Sequence, residues 1–233
     1  MTILGIGAHP DDLEILAGGT LARYAREGHR VVMAHLLNGD KGHFRIPSGK
    51  LAVIRRREAV AAASVIGAGS LSLGIPDGEL FSDLKTRKMV IDLIRSVRPD
   101  IILTHAPNDY YADHTTTSEI VCAASFLAAA PLFKTKHRAH SLIPPLYFMD
   151  TVSGVNFLPT FFVDITATFE TKKKMLACHK SQLTWLKEHD NADILDTIEI
   201  VARFRGLDCK ARYAEGFREL EVWGRREARR LLP

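Results

Sequence analysis

The sequence predicts an α/β protein, a Rossmann-like three-layer sandwich with a mostly parallel sheet. Two observations carry that expectation. Short apolar runs alternate with stretches of helical periodicity through the first two thirds of the chain, the rhythm of strands joined by crossover helices. Ionisable residues also collect just after the first and the fourth of those runs. Those positions are the carboxyl ends of strands, where open α/β sheets hold their ligands.

Taken in order, Ile3-Leu4-Gly5-Ile6 reads as a buried strand. Ala17-Gly18-Gly19-Thr20 leads into a helical pattern over 21–26 that stops at Gly28. Residues 30–36 form a second apolar run, followed by a loop over 38–50 that carries glycine, serine and proline. Residues 51–66 have apolar positions at helical spacing, and Gly67 ends them. Leu71-Ser72-Leu73 is a short strand, and Pro76-Asp77-Gly78 a strong turn signal. Residues 84–97 read as an amphipathic helix stopped by Pro99, 101–104 as a fourth strand, and 115–130 as a helix that Pro131 terminates. Residues 131–145 are irregular. Two further strands are expected at 146–149 and 161–165, then helical patterns at 168–189 and 193–205. There are no internal repeats, so the expected organisation is one domain over 1–233. Its last third, from about residue 131, should cap the ligand end of the sheet.

Composition narrows the class. Apolar residues make up 46% of the 233, charged residues 25%, and the formal charge is +4, as in ordinary globular proteins. Basic residues are scattered apart from Arg55-Arg56-Arg57, Lys172-Lys173-Lys174 and the arginine-rich last ten positions. These read as solvated helix faces and tails. Without an aromatic-interleaved basic stripe, no nucleic-acid partner is expected. No run approaches the roughly 18 apolar residues of a membrane helix, and no charged segment precedes a cleavable apolar core. Cys122, Cys178 and Cys209 are far apart and form no CxxC, which suits buried small residues in a reducing compartment. A cytoplasmic location is therefore expected.

The chemistry lies in two stretches. The first is Gly7-Ala8-His9-Pro10-Asp11-Asp12-Leu13-Glu14, and the second runs from Thr104-His105 to Asp109-Tyr110-Tyr111-Ala112-Asp113-His114. A parallel sheet would bring them together across about a hundred residues. His9 and Asp12 are three apart, which at a helix start puts them on one side. Adding His114 gives two imidazoles and a carboxylate, a catalytic zinc set with room for water and substrate. The blander alternative is that the aspartates only cap a helix N-terminus. His29, His35, His43, His137, His140 and His189 lack ligand spacing and are expected to be surface or core residues. Gly5-x-Gly7 does not continue as a dinucleotide loop: Pro10 replaces the third glycine, and two aspartates stand where a pyrophosphate needs positive potential.

Ala8-His9-Pro10-Asp11-Asp12-Leu13-Glu14, followed by Gly18-Gly19-Thr20, resembles the signature of the LmbE-like, or PIG-L, zinc-dependent N-deacetylases, which act on N-acetylglucosamine conjugates. Arg55-Arg56-Arg57-Glu58-Ala59 resembles the family's RxxEA helix, Ile75-Pro76-Asp77-Gly78 its PDG loop, and Asp113-His114 the end of its HPDH element. His179-Lys180-Ser181-Gln182 is similar to its H-x-S-Q segment.

The resemblance implies a zinc-dependent hydrolase of an N-acetylated amino sugar, with oligomers common among its relatives. His9, Asp12 and His114 match the zinc ligands, and Asp11 matches the general base beside the metal water. Arg55 and Asp77 match substrate contacts, with Arg55 the one arginine of its triplet expected at the site. Asp113 matches an acid next to the ligand histidine. The chemistry suits these types, because zinc lowers the pKa of a bound water to about 7 and polarises a carbonyl. One position departs from the pattern: Tyr111 stands where the family has a histidine that stabilises the oxyanion or protonates the amine. Tyr111 or Tyr110 then takes over, or Asp11 returns the proton, or His105 or His179 reaches in. The competing reading from another class is a non-catalytic metal- or nucleotide-binding Rossmann-like module.

Overall fold

The structure, a computed structural model, describes residues 1–223 and 231–233, so most of the arginine-rich tail lies outside the described residues. Seven strands form one sheet in the order β3-β2-β1-β4-β5-β7-β6. The strands are β1 (Thr2–Gly7), β2 (Arg30–Leu37), β3 (Gly69–Ile75), β4 (Ile101–Thr104), β5 (Leu146–Met149), β6 (Phe161–Asp164) and β7 (Ala214–Glu219). The first five pair in parallel, and β7 runs antiparallel between β5 and β6.

Both faces of the sheet are covered, which is why its central strands read as continuous apolar runs rather than alternating ones. Ile3, Val31, Met33, Ile101 and Leu103 face one core. That core takes in Leu13, Leu16 and Tyr24 of α1 (Asp12–Arg26) and Ala62 and Ala63 of α2 (Ser48–Ser64). Leu4, Ile6, Val32, Ala34 and Ile102 face the other, against Val90, Ile91 and Ile94 of α3 (Leu84–Val97) and Ile120, Val121 and Ala124 of α4 (Ala112–Leu127). Asp83 caps α3 by accepting a hydrogen bond from the Thr86 N–H at 2.7 Å, a contribution of about 1 kcal/mol.

Several boundaries differ from the sequence reading. Helix α1 begins at Asp12, not after Gly19, so Asp12 and Glu14 sit in its first turn. The glycines are tolerated mid-helix because α5 (Phe169–Leu176) and the preceding turn press close; a Cβ on Gly19 would lie 2.7 Å from Ile165. Helix α4 likewise starts three residues early, which places His114 in its first turn. The single helix expected over 168–189 breaks into α5 and α6 (Lys180–His189), with His179 between them at ψ 58°. Helix α7 (Ile194–Cys209) follows, capped by Asp193, which accepts from the Leu195 N–H at 3.0 Å. No helix among the described residues is long and apolar enough to cross a membrane.

Strand β7 was not anticipated, because Ala-Glu-Gly-Phe-Arg-Glu carries three charges in six residues. It is nevertheless flanked by strands on both sides. Its Glu215 is buried, accepts from the Gly19 and Thr20 N–H groups at 2.9 and 2.7 Å, and pairs with Lys172 at 2.5 Å. The reading of Lys172-Lys173-Lys174 as a solvated face therefore fails at Lys172, whose side chain is only 3% exposed. Such a charge is tolerated inside because its partner is there too.

Register positions the site. Ile6 pairs with Thr104 and Gly7 with His35, so the segments leaving β1, β2 and β4 emerge side by side at one edge of the sheet.

Candidate active site and metal centre

At that edge, donor atoms of His9, Asp12 and His114 lie within 4.8 Å of one another. His114 Nε2 is 3.3 Å from Asp12 Oδ1, and His9 Nδ1 is 3.5 Å from Asp12 Oδ2. The remote nitrogen of each histidine is taken by a different carboxylate. His9 Nε2 lies 3.2 Å from Asp113 Oδ2, and His114 Nδ1 lies 3.0 Å from Asp109 Oδ2. Pairing of this kind fixes the tautomer and aims the other nitrogen inward, the arrangement expected around metal-ligating histidines.

Electrostatics agree that the site suits a cation. Burial alone would lower the pKa of both histidines, yet Asp113 and Asp12 raise His9 to about 10, and Asp12 and Asp109 raise His114 to about 9. Burial alone would raise the pKa of Asp12, but His114 and His105 hold it well below the usual carboxylate range. The donor set fits a divalent ion held by His9, Asp12 and His114. A second grouping, His105, Asp109 and His114, meets the same distance criterion. Of its members only His114 lines the cavity described below: His105 is fully buried and stacks flat on His114 at 3.9 Å, its Nε2 already 3.1 Å from Asp12.

Asp11 occupies the N-cap position of α1, but its side chain makes no capping bond. It turns instead to Arg55, whose guanidinium donates to Asp11 Oδ1 at 2.9 Å and to the Pro10 carbonyl at 2.6 Å. The capping alternative therefore does not describe Asp11. Its φ of 136° is a strained conformation for a residue with a side chain, costing on the order of 1–3 kcal/mol. Burial pushes the Asp11 carboxyl up to about 6, against the lowering pull of Arg55. Arg55 reaches it by crossing Gly39, where φ is 76° and a Cβ would fall 2.5 Å from the arginine chain. Arg56 and Arg57 are exposed.

A cavity of about 450 Å³ opens over these groups. His9, Asp11, Asp12, Arg55, Asp77, Tyr111 and His114 all line it, so seven of the eight residues singled out in the sequence meet there. Asp113, the eighth, stands behind His9 rather than against its neighbour His114. Asp77 faces the cavity while its carboxylate accepts from the Gly39 and Lys41 N–H groups at 2.8 and 3.3 Å. Tyr110 and Tyr111 line it and are half exposed. His105 and His179 do not line it. His179 is fully buried, with Nε2 3.1 Å from Glu14 Oε1. Two contributors escaped the sequence reading. Asp109, rather than Asp113, pairs with His114, and Trp185 of α6 forms part of the cavity wall.

The sequence profile described as PIG-L, GlcNAc-PI de-N-acetylase, matches residues 4–125, just over half of the chain. The chain belongs to the PIG-L family. Among its relatives, a diacetylchitobiose deacetylase of Thermococcus kodakarensis is 28% identical over 93% of this chain and 82% of its own. A 4-oxalmesaconate hydratase of Pseudomonas putida is also 28% identical, over 77% and 73%. Solved structures show the same two relationships. The 4-carboxy-2-hydroxymuconate hydratase of Pseudomonas putida superposes with a TM-score of 0.84 at 26% identity, covering 99% of both chains. The N,N'-diacetylchitobiose deacetylase of Pyrococcus horikoshii gives 0.83 at 26%, covering 94% and 83%. With relatives in this PIG-L family named as deacetylases, a catalytic hydrolase is the supported reading, and the non-catalytic module is not.

Proposed function

We propose that the protein is a zinc-dependent hydrolase that removes the N-acetyl group from an N-acetylated amino sugar or its conjugate, working in the cytoplasm. The observation that carries this reading is the division between two adjacent aspartates. Asp12 gathers with His9 and His114, whose donor atoms could hold an ion, while Asp11 faces the same cavity from a separate ion pair with Arg55.

His9, Asp12 and His114 would hold the zinc, which when bound supplies Lewis acidity to acidify a water and polarise the amide carbonyl. Asp11 is ionised at neutral pH and accepts the proton of the attacking water, with Arg55 fixing its Oδ1 and leaving Oδ2 for the transfer. The Tyr111 hydroxyl, on the cavity wall, donates a hydrogen bond to the carbonyl oxygen as charge develops there. Asp11 then returns the proton to the departing nitrogen, giving acetate and the free amine. Residues from about 131 onward close the site through α6 and the start of α7.

The test combines metal analysis of the purified protein with acetate release from N-acetylglucosamine and its glycosides. Asp11→Asn should keep its zinc and lose activity by about 10²–10⁴-fold, and full activity in that variant overturns the mechanism.

A hydratase is the second reading, favoured by the Pseudomonas putida relatives. The cavity's charge weighs against it. Its lining carries Asp11, Asp12, Asp77 and Asp190, while Arg55, its one lining Lys or Arg among the described residues, is spent on Asp11. That balance suits an amine-bearing product better than a substrate with several carboxylates. Consumption of an unsaturated polycarboxylate without acetate release from any amide would decide for the hydratase.

A further inference from the structure

Three carboxylates outside the metal set stitch together the segments that follow β2, β3 and β4. Asp77, in the turn after β3, faces the cavity and accepts from the Gly39 and Lys41 N–H groups at 2.8 and 3.3 Å. Asp40, in the loop after β2, is bonded the other way. Its Oδ1 accepts from the Asp77 N–H at 3.0 Å, while Lys41 Nζ at 2.6 Å and the Ser48 hydroxyl hold its Oδ2. The two loops are thus cross-bonded in both directions. One residue further on, the Gly78 N–H donates to Asp113 Oδ2 at 3.2 Å, and that same oxygen lies 3.2 Å from His9 Nε2. Gly78 permits this turn because its φ of 74° lies in the left-handed region that glycine enters without steric penalty.

Neither Asp40 nor Asp113 lines the cavity; both stand behind groups that do. The contacts run from His9 through Asp113 to Gly78, and from the adjoining Asp77 to Asp40. A metal taken by the His9 nitrogen that faces Asp12 leaves the Nε2 proton toward Asp113 and pins the ring. The Asp113 carboxylate then bonds to a fixed donor instead of a free side chain, and it holds the Gly78 N–H with the same oxygen. Order at Gly78 passes along the backbone to Asp77, one of the cavity's own groups. Linkage makes the effect mutual: whatever factor the metal contributes to order in the turn, an ordered turn returns to metal affinity.

We propose that Asp113 is a positioning residue that couples metal occupancy at His9 to the order of the Asp77 turn, with Asp40 locking that turn from its other side. This coupling depends on the metal site and not on which bond is cleaved, so it stands apart from the deacetylase reading.

The test needs no substrate. Zinc affinity is read by chelator competition, and amide exchange by mass spectrometry with and without saturating zinc. In the unaltered protein, zinc should slow exchange about tenfold in peptides covering 39–41 and 77–79, which carry the Gly39, Lys41 and Gly78 N–H groups. The Lys136 and His137 N–H groups, bonded to Asp92 elsewhere in the fold, should not respond. In Asp113→Ala saturated with zinc, the response over 39–41 and 77–79 should be lost. The Asp40 side chain bonds to none of His9, Asp12 and His114, yet Asp40→Ala should weaken zinc binding about five- to tenfold. In an Asp113→Ala background the same substitution should change zinc affinity by less than about twofold, which general loosening of the loop would not produce. If Asp113→Ala does not fold, Asp113→Asn takes its place, since its single acceptor oxygen weakens both bonds. An exchange response that survives in the zinc-loaded Asp113 variant overturns the coupling. So does a zinc affinity untouched by Asp40→Ala, or an equal Asp40→Ala effect in both backgrounds. A protein that passes these tests but releases no acetate upholds the coupling and overturns the deacetylase reading.

Discussion

Removing Arg55 separates two roles that one residue can play at this cavity: contact with the substrate, and control of the base. The arginine is 3% exposed, and its ion pair with Asp11 is 2.9 Å long and buried on both sides. A guanidinium beside a carboxylate lowers the acid's pKa by about 1–3 units. In Arg55→Met the Asp11 carboxyl, already at about 6 with the arginine present, should therefore climb to about 7–9 in the same environment. Because the base must be ionised, the sign is fixed: the acid limb of kcat/KM moves to higher pH. At pH 7 the ionised fraction drops from about nine tenths to between about one half and one hundredth, so activity falls about 2- to 90-fold and recovers as pH rises. A bound dication lowers the limb in both proteins, so the comparison is between two zinc-loaded enzymes across a pH series. Should the loss be the same at every pH and reside in KM, Arg55 is a substrate contact and the argument from its ion pair is wrong.

Three further outcomes follow from named contacts. Asp109→Asn removes the carboxylate that orients His114 and should weaken zinc affinity about 10- to 100-fold in a competition titration, with little effect on folding. Lys172→Met strands the buried Glu215 carboxylate and should cost about 3–5 kcal/mol in denaturant unfolding while leaving zinc content unchanged. Tyr111→Phe deletes a hydroxyl but keeps the ring against His114, 5.2 Å between centroids. If that hydroxyl steadies the developing oxyanion, kcat should fall about 10²-fold with zinc affinity intact, and an unchanged kcat would pass the task to Tyr110 or Asp11.

The apolar runs located the parallel part of the sheet because its strands are covered on both faces, so hydrophobicity alone marks them. The same signal missed β7, which sends Phe217 into the core but alternates it with charged residues, the buried Glu215 being held by an ion pair and backbone N–H groups. Helix starts were placed late for a related reason. The first turns of α1 and α4 carry Asp12, Glu14, Asp113 and His114, polar residues that break the apolar periodicity because they serve the site. The grouping of His9, Asp12 and His114 was legible because His9 and Asp12 are three apart and the two segments leave neighbouring strands. Asp109 was not, since only the turn of the loop after β4 decides which of two nearby aspartates meets which histidine. Trp185 was not legible either: it is separated by more than seventy residues from the nearest donor in the sequence.

Asp11 and Asp12 show how backbone conformation can do what residue choice cannot. Two consecutive aspartates entering a helix with ordinary dihedrals would share one environment and titrate as competitors beside the same ion. The φ of 136° at Asp11 sends its carboxylate toward Arg55, while Asp12, already helical, keeps its own among His9, His105 and His114. The two acids are thereby pushed in opposite directions, Asp12 well below its usual range and Asp11 up to about 6. In the proposed mechanism that divergence suits Asp12 to bind the ion and Asp11 to take and return a proton. The strain of about 1–3 kcal/mol at residue 11 is what points two adjacent carboxylates to different partners. It is held in place by the same Arg55 that tunes the base, so geometry and basicity should fail together when that arginine is lost.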